Sequence, residues 1–269
     1  MVSWKTRSAR DGRRPGDGRR ARDGRRGRDS SSPAELLMTR DGGPLSLLIE
    51  QTDWASTPLG PYRDWPPELR TAVSVGLNCP FPILVMWGPQ LAMVYNDAFV
   101  PILGAKHPAL GLPCAQVWAD AWPVVGGMLT DVLERGEPTY HEDLRLILQR
   151  HGFDEEVYFT FAYSPIPVPG GRAGGVFTVV TESTRQVLGA RRIRALQELS
   201  ASRSGHAASV METCAAAMQA LGAHRADLPF GLTYLLDDAG AQARPVASFG
   251  LADPDRLPAE LPEIGRAHV

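Results

Sequence analysis

Apolar residues change their spacing several times along this chain, and each spacing implies an element. Pro44 to Trp54 reads as a short helix that ends in the turn residues Thr57-Pro58-Leu59-Gly60-Pro61. From Pro66 or Pro67, both suited to a first helical turn, apolar positions recur at Leu69, Val73 and Leu77 until Pro80 and Pro82 stop the repeat. Ile83 to Trp87 and Leu91 to Tyr95 are apolar on consecutive residues around Gly88-Pro89-Gln90, which predicts a hairpin covered on both faces. Asn96 is placed to cap a short helix from Asp97 to Leu103. Trp118, Trp122, Val125, Leu129 and Val132 then recur at three- and four-residue steps, so Cys114 to Arg135 is predicted as the longest helix of this region, closed by Gly136, with Gly126-Gly127 as a kink.

Downstream the period falls to two. Leu144, Leu146 and Leu148 alternate within Tyr140 to Leu148, as do Val157, Phe159, Phe161 and Tyr163 within Glu155 to Ser164, and Val176, Thr178 and Val180 within Gly175 to Thr181. Gln149 to Asp154 and Pro165 to Gly174 are predicted as the connecting loops. The whole is an α+β layout: a five-stranded antiparallel sheet with flanking helices. After Thr181-Glu182-Ser183-Thr184 the chain becomes charged and helical, with a narrow seam of Val187, Ile193, Leu196 and Leu199 that suits a second copy better than a core. A helix from about Ala207 to Leu221, a strand Phe230 to Leu236, the turn Asp237-Asp238-Ala239-Gly240 and a strand Arg244 to Phe249 begin another α+β domain. The expected organisation is a tail over 1–40, a first domain over 44–182, a helical linker over 183–204, a partial second domain over 205–262 and a terminal segment 263–269.

Composition adds little until it is divided. The 269 residues are 43% hydrophobic and 22% charged with a net charge of −2, ordinary for one or two globular domains. Up to Ser32, however, eleven Lys and Arg residues stand against Asp11, Asp17, Asp23 and Asp29, and Arg-Asp-Gly-Arg-Arg occurs at both Arg10 to Arg14 and Arg22 to Arg26. Such a tail is expected to be disordered; it reads either as a basic arm for phosphates or, preferably, as translated upstream sequence before a natural start at Met38, so nucleic acid is not the expected partner. Glu263-Ile264-Gly265-Arg266-Ala267-His268-Val269 resembles a translated library adapter, which implies a chain cut within its last domain. Cys79, Cys114 and Cys214 are dispersed, odd in number and without a CxxC pair, so neither a disulfide framework nor zinc is expected and a reducing cytoplasm is the simplest home. The strongest apolar stretch, around Pro80 to Trp87, is far short of the ~20 residues of a spanning helix.

The motifs in order carry a resemblance. Asp53-Trp54, Thr57-Pro58-Leu59-Gly60-Pro61, Trp65-Pro66, Trp87-Gly88-Pro89, Tyr95-Asn96-Asp97-Ala98-Phe99, Leu103-Gly104-Ala105-Lys106-His107-Pro108 and Tyr158-Phe159-Thr160-Phe161 with Ser164-Pro165-Ile166 resemble the amino-terminal PAS domain of bacterial multidomain sensor histidine kinases. Ala226-Asp227-Leu228-Pro229-Phe230 through Asp237-Asp238 resembles the first strands of the GAF domain that follows it there. The resemblance implies a PAS-like sheet, a signalling linker and sensing of a small molecule, redox state or light, or dimerisation alone. It supplies no cofactor residue by residue.

Catalytic chemistry finds no place in this pattern. His206 lacks the neighbours of a phosphoacceptor box, and no nucleotide-binding glycine loop occurs. Cys114 lacks the context of a flavin-reactive cysteine and reads as a packed thiol; His107 reads as a loop residue bonded locally. His141, Glu142, Asp143, Asp154, Glu155 and Glu156 alternate across strand faces and read as a solvated surface rather than a metal site. Trp87, Asn96, Trp118 and Phe161 are the pocket candidates. The expectation is a non-enzymatic cytoplasmic input fragment of a two-component histidine kinase, dimeric through its linker and lacking its output domain; the alternative is the input region of a PP2C-type phosphatase.

Overall fold

The structure is a computed structural model that describes residues 44–202, 209–237, 239, 242–253 and 261–262. The arginine-rich tail, His206 and the segment 263–269 lie outside the described residues. Five strands, β1 (Ile83–Trp87), β2 (Ala92–Tyr95), β3 (Thr139–Leu148), β4 (Glu155–Val168) and β5 (Arg172–Glu182), form one antiparallel sheet in the order β2-β1-β5-β4-β3. The fold class is therefore α+β with a five-stranded antiparallel sheet and flanking helices. β1 lies between β2 and β5, and Ile83 to Met86 are all buried, which is why its apolar residues run consecutively.

Helices close both faces. On one, α1 (Pro44–Gln51) and α2 (Pro67–Leu77) frame an aromatic cluster in which Trp54 and Trp65 meet edge to face at 5.0 Å and Tyr62 tilts against Trp65 at 5.0 Å. The indoles donate to the carbonyls of Ile49 and Gly60, both at 3.0 Å. Gly76 lets α2 approach the sheet, because a Cβ there would lie 2.9 Å from Ile83 Cγ2. On the other face, α3 (Val100–Leu103), α4 (Cys114–Val117) and α5 (Trp122–Arg135) bury Leu103, Cys114, Val125, Leu129 and Val132.

Three sequence expectations change. Cys114 to Arg135 is two helices: Trp118 leaves helical geometry at ψ 36°, and Pro123, which has no N–H to give to a preceding turn, starts α5 rather than extending α4. Gly126 is no kink but a seat for the Trp122 indole, which a Cβ would meet at 2.8 Å. Pro165 to Gly174 is mostly strand. β3 stops pairing at Tyr163, so beyond it β4 is an edge on that side, where Pro165 and Pro167 are tolerated, and the turn shrinks to the Pro169–Gly171 tip, with positive φ at Gly170 and Gly171.

One residue after β5 the linker helix α6 (Thr184–Ser202) begins; α7 (Val210–Gly222) and the strands β6 (Gly231–Leu236), β7 (Gln242–Phe249) and β8 (Leu261–Pro262) follow, the strands paired antiparallel as β6-β7-β8. The linker seam divides between two faces. Val187 and Leu199 are half-buried, whereas Ile193 and Leu196 are 57% and 63% exposed. The helix is turned by its polar contacts: Arg191 engages Glu156 and Asp227, and Glu198 engages His224.

Candidate functional site

The alternation of β3, β4 and β5 aims one set of side chains at α5. Phe161 pairs across the sheet with Val180, Tyr163 with Thr178, and Thr178 in turn with Leu84 of β1. Between this face and the helices lies a cavity of about 70 Å³, floored by Phe161, Tyr163, Thr178 and Val180 and roofed by Cys114, Trp118 and Val125. Phe99 meets Trp118 edge to face at 6.3 Å and closes one side.

Above Trp118 an ionic brace holds the roof. Lys106 Nζ sits 5.0 Å from the indole ring centroid, donates to the Val117 carbonyl at 3.0 Å and to Asp120 Oδ1 at 2.7 Å, and the Gln149 amide donates to Asp120 Oδ2 at 2.8 Å. Burial alone would raise the Asp120 carboxyl; its bonds to Lys106 and to the Gln149 and Ala121 amides outweigh this and hold it below its ordinary value.

The four pocket candidates separate. Trp118 and Phe161 line the cavity, while Trp87 and Asn96 do not. Trp87 lies flat against β5, where a Cβ on Gly174 or Gly175 would fall 2.7 Å from its ring. Asn96 is a hub: its Oδ1 accepts from the amides of Ile83 (3.0 Å) and Phe99 (3.1 Å), and its Nδ2 donates to the carbonyls of Gly76 (3.1 Å), Cys79 (2.9 Å) and Phe81 (2.7 Å). It thereby caps the turn at Asp97–Phe99 as its position suggested and also ties α2 to the start of β1.

The residue that sequence reasoning missed as a candidate is Thr178. It is 2% exposed, lines the cavity, and its Oγ1 has no hydrogen-bond partner among the described residues. The signal was a threonine between Val176 and Val180 in a strand otherwise apolar on its inward face. Burial pushes the Cys114 thiol up to about 12, so it stays protonated at neutral pH, and burial raises the Tyr163 hydroxyl likewise.

Of the remaining titratable candidates, His107, Asp154 and Glu155 have local partners. His107 Nδ1 lies 2.9 Å from the Tyr95 hydroxyl, which accepts from the Ala109 amide at 2.9 Å. The His141 ring tilts against Phe161 at 5.1 Å, with its Nε2 buried and unpartnered among the described residues. Glu155 is bound by Arg150 and His151, and Asp154 accepts from Gln149, so the acidic run is an ion-paired surface more than a merely solvated one. Among the described residues no group of three metal-ligating side chains converges, and no helix is long and apolar enough to cross a membrane.

From the cavity, β5 leads directly into the linker. Four residues beyond Thr178, Glu182 accepts a two-pronged bond from Arg150 (2.8 and 2.9 Å) and takes a third from the Thr184 hydroxyl at 2.9 Å. That Arg150 bond holds Glu182 below its ordinary pKa against the opposing effect of burial. The Tyr158 amide on β4 donates to Thr184 Oγ1 at 3.0 Å, so the first residue of α6 is sewn to the sheet. Gly104, at φ 55°, allows the Ala105 amide to reach the Arg150 carbonyl at 2.8 Å, since a Cβ there would lie 2.7 Å from that oxygen.

No protein-family model and no curated protein matches the chain. Solved structures similar to it include the LOV protein of Rhodobacter sphaeroides, at 15% identity over 59% of this chain and 93% of that one, with a TM-score of 0.37. The PAS domain of BvgS from Bordetella pertussis is similar at 23% identity over 49% of this chain and 97% of that one, with a TM-score of 0.35. The sensory box of a sensor histidine kinase from Vibrio cholerae is similar at 14% identity over 42% of this chain and 87% of that one, with a TM-score of 0.31.

Proposed function

We propose that this chain is a sensory input region: a PAS-type domain over 44–182 that takes a small molecule into the cavity beneath α5 and passes a displacement through β5 and α6 to an output stage. The observation that carries this reading is continuity. Thr178, in the cavity wall, and Thr184, the first residue of the linker helix, lie on one short stretch of chain pinned by Arg150. A shift of a strand in a close-packed sheet moves what is rigidly attached to it. In this reading the segment from α7 to β8 begins a GAF-type domain, the linker dimerises in a cytoplasmic protein, and the output is a two-component histidine kinase core; the chain itself transfers no phosphate. A PP2C-type phosphatase as the output stage is the second reading, and autophosphorylation against phosphatase activity of the whole gene product separates the two.

Hydrogen exchange on the full chain tests the coupling. A small molecule that slows exchange in β5 is expected to change exchange in the first turns of α6 as well. Protection confined to the cavity wall, with α6 unchanged, removes the input role.

A further inference from the structure

We propose that the ligand of this cavity is a small, uncharged and mostly apolar molecule bearing one oxygen that pairs with the Thr178 hydroxyl. The inference rests on reading the cavity as the sensory site, and it adds the chemistry of the occupant.

The first observation is the orphaned hydroxyl. A buried polar group without a partner is costly, and native interiors keep few of them. Thr178 Oγ1 is such a group at a place where an apolar side chain of the same shape, valine, would fit the strand, as Val176 and Val180 do on either side. A hydroxyl retained in that position, on a residue that lines a hole, has a use when the hole is filled.

Charge narrows the class. Among the described residues no carboxylate, lysine, arginine or histidine lines the cavity. The lining residues that carry polar side-chain atoms, besides the sulfur of Met86, are Cys114, Trp118, Tyr163 and Thr178, and the thiol and phenol are held neutral by burial. An ionised ligand would arrive desolvated and unpaired, which an apolar interior penalises far more than it penalises a neutral oxygen with one hydrogen bond. Phosphate-bearing molecules fall outside the class for the same reason.

Size narrows it again. At about 70 Å³ the space is roughly half of the ~150 Å³ apolar hole that takes up benzene. The smallest ketones and alcohols, of about four non-hydrogen atoms or fewer, meet all three conditions.

NMR titration of the isotope-labelled full chain with three probes tests this: propan-2-one, 2-methylpropane as the same skeleton with a methyl in place of the oxygen, and acetate as the charged counterpart. Propan-2-one is expected to shift the resonances of Trp118 and Phe161 and to bind Thr178→Val about tenfold more weakly than wild type, the effect of one lost hydrogen bond. Thr178→Ser should retain the affinity, 2-methylpropane should bind Thr178→Val at least as well as wild type, and acetate should bind neither. Unliganded Thr178→Val should also melt at a higher temperature than wild type, because the orphaned hydroxyl is gone. Equal affinity of propan-2-one for wild type and Thr178→Val, or binding of acetate, overturns the ligand class and leaves the sensory site standing. A lower melting temperature for Thr178→Val shows a hydroxyl already satisfied by trapped water, and also overturns it. If neither neutral probe moves any cavity resonance, the sensory reading of the cavity itself falls.

Discussion

Arg191 of the linker helix donates to both carboxylate oxygens of Asp227, Nε to Oδ2 at 2.6 Å and Nη2 to Oδ1 at 2.7 Å. The same guanidinium donates to Glu156 at the start of β4 at 3.0 and 3.2 Å. One side chain on α6 therefore holds the five-stranded sheet on one side and the loop before β6 on the other, with all three of its nitrogens engaged. The three side chains are only 18–24% exposed, so this contact is worth more than an open surface pair and less than a fully buried one.

Removing that contact is expected to loosen the second unit before it unfolds the first. Arg191→Ala should cost about 1–2 kcal/mol and speed amide exchange in α7, while β1 to β5 keep their protection. Arg191→Met with Asp227→Leu, which leaves no stranded charge, should recover most of the loss. Equal acceleration of exchange across the sheet and α7 would show that the two units do not open separately.

The same cluster sets an acid dependence. The bond from Arg191, assisted by Arg145 and Tyr158 against the opposing effect of burial, lowers Glu156 to about 2 from an ordinary 4.5. A carboxylate depressed in the folded state adds stability above its unfolded pKa and loses it as the pH falls through the folded one. The difference in melting temperature between wild type and Arg191→Ala should be constant at neutral pH, narrow below about 4.5 and vanish near 2. Asp227, lowered first by its bond to Arg191, acts in the same direction. A difference that grows on acidification refutes the assignment.

Asn96 predicts the largest single loss outside the apolar core. Its five bonds go to two amides and three carbonyls between the end of α2, the start of β1 and the Asp97–Phe99 turn, and the residue is 2% exposed. Asn96→Ala should destabilise the protein by about 3 kcal/mol or more, since each orphaned buried group costs about 1–3 kcal/mol. Asn96→Asp should be no better, because it sets a carboxylate against three carbonyl oxygens. Chemical denaturation of the three proteins decides this, and a loss under about 1 kcal/mol for Asn96→Ala would mean that water replaces the amide.

What was legible in the sequence follows from which forces act locally. The strands were readable from period and run length, because inward and outward positions differ along each one, as at Val157, Phe159, Phe161 and Tyr163. Asn96 was readable as a cap because capping is a contact between near neighbours, but its bonds to Gly76 and Cys79 depend on α2 returning to β1. The break at Trp118 was hidden because its side chain keeps the helical spacing of the stripe even though its backbone does not. Thr178 was hidden for a related reason: alternation shows which way a side chain faces, and only the packed sheet shows that nothing meets its hydroxyl.

The last prediction concerns two apolar residues of the linker helix that the fold leaves in solvent. Ile193 and Leu196 lie three apart on one face of α6, with open space beside Gly189 four residues before Ile193, while Val187 and Leu199 are taken up elsewhere. Positions 189, 193, 196 and 200 follow the four-three-four spacing of a helix-to-helix seam, and small residues at its two ends allow a close approach. Burying Ile193 and Leu196 against the same pair of a second copy removes about the area of two large side chains per protomer, each worth roughly 1.5–3 kcal/mol when fully covered. The chain is accordingly expected to sediment as a dimer, and Ile193→Asp with Leu196→Asp as a monomer that melts where wild type does at concentrations too low for dimers, because neither side chain touches the core. A monomeric wild type at high micromolar concentration ends the dimer proposal, and a double variant that melts lower than monomeric wild type places these residues inside the fold rather than between two copies.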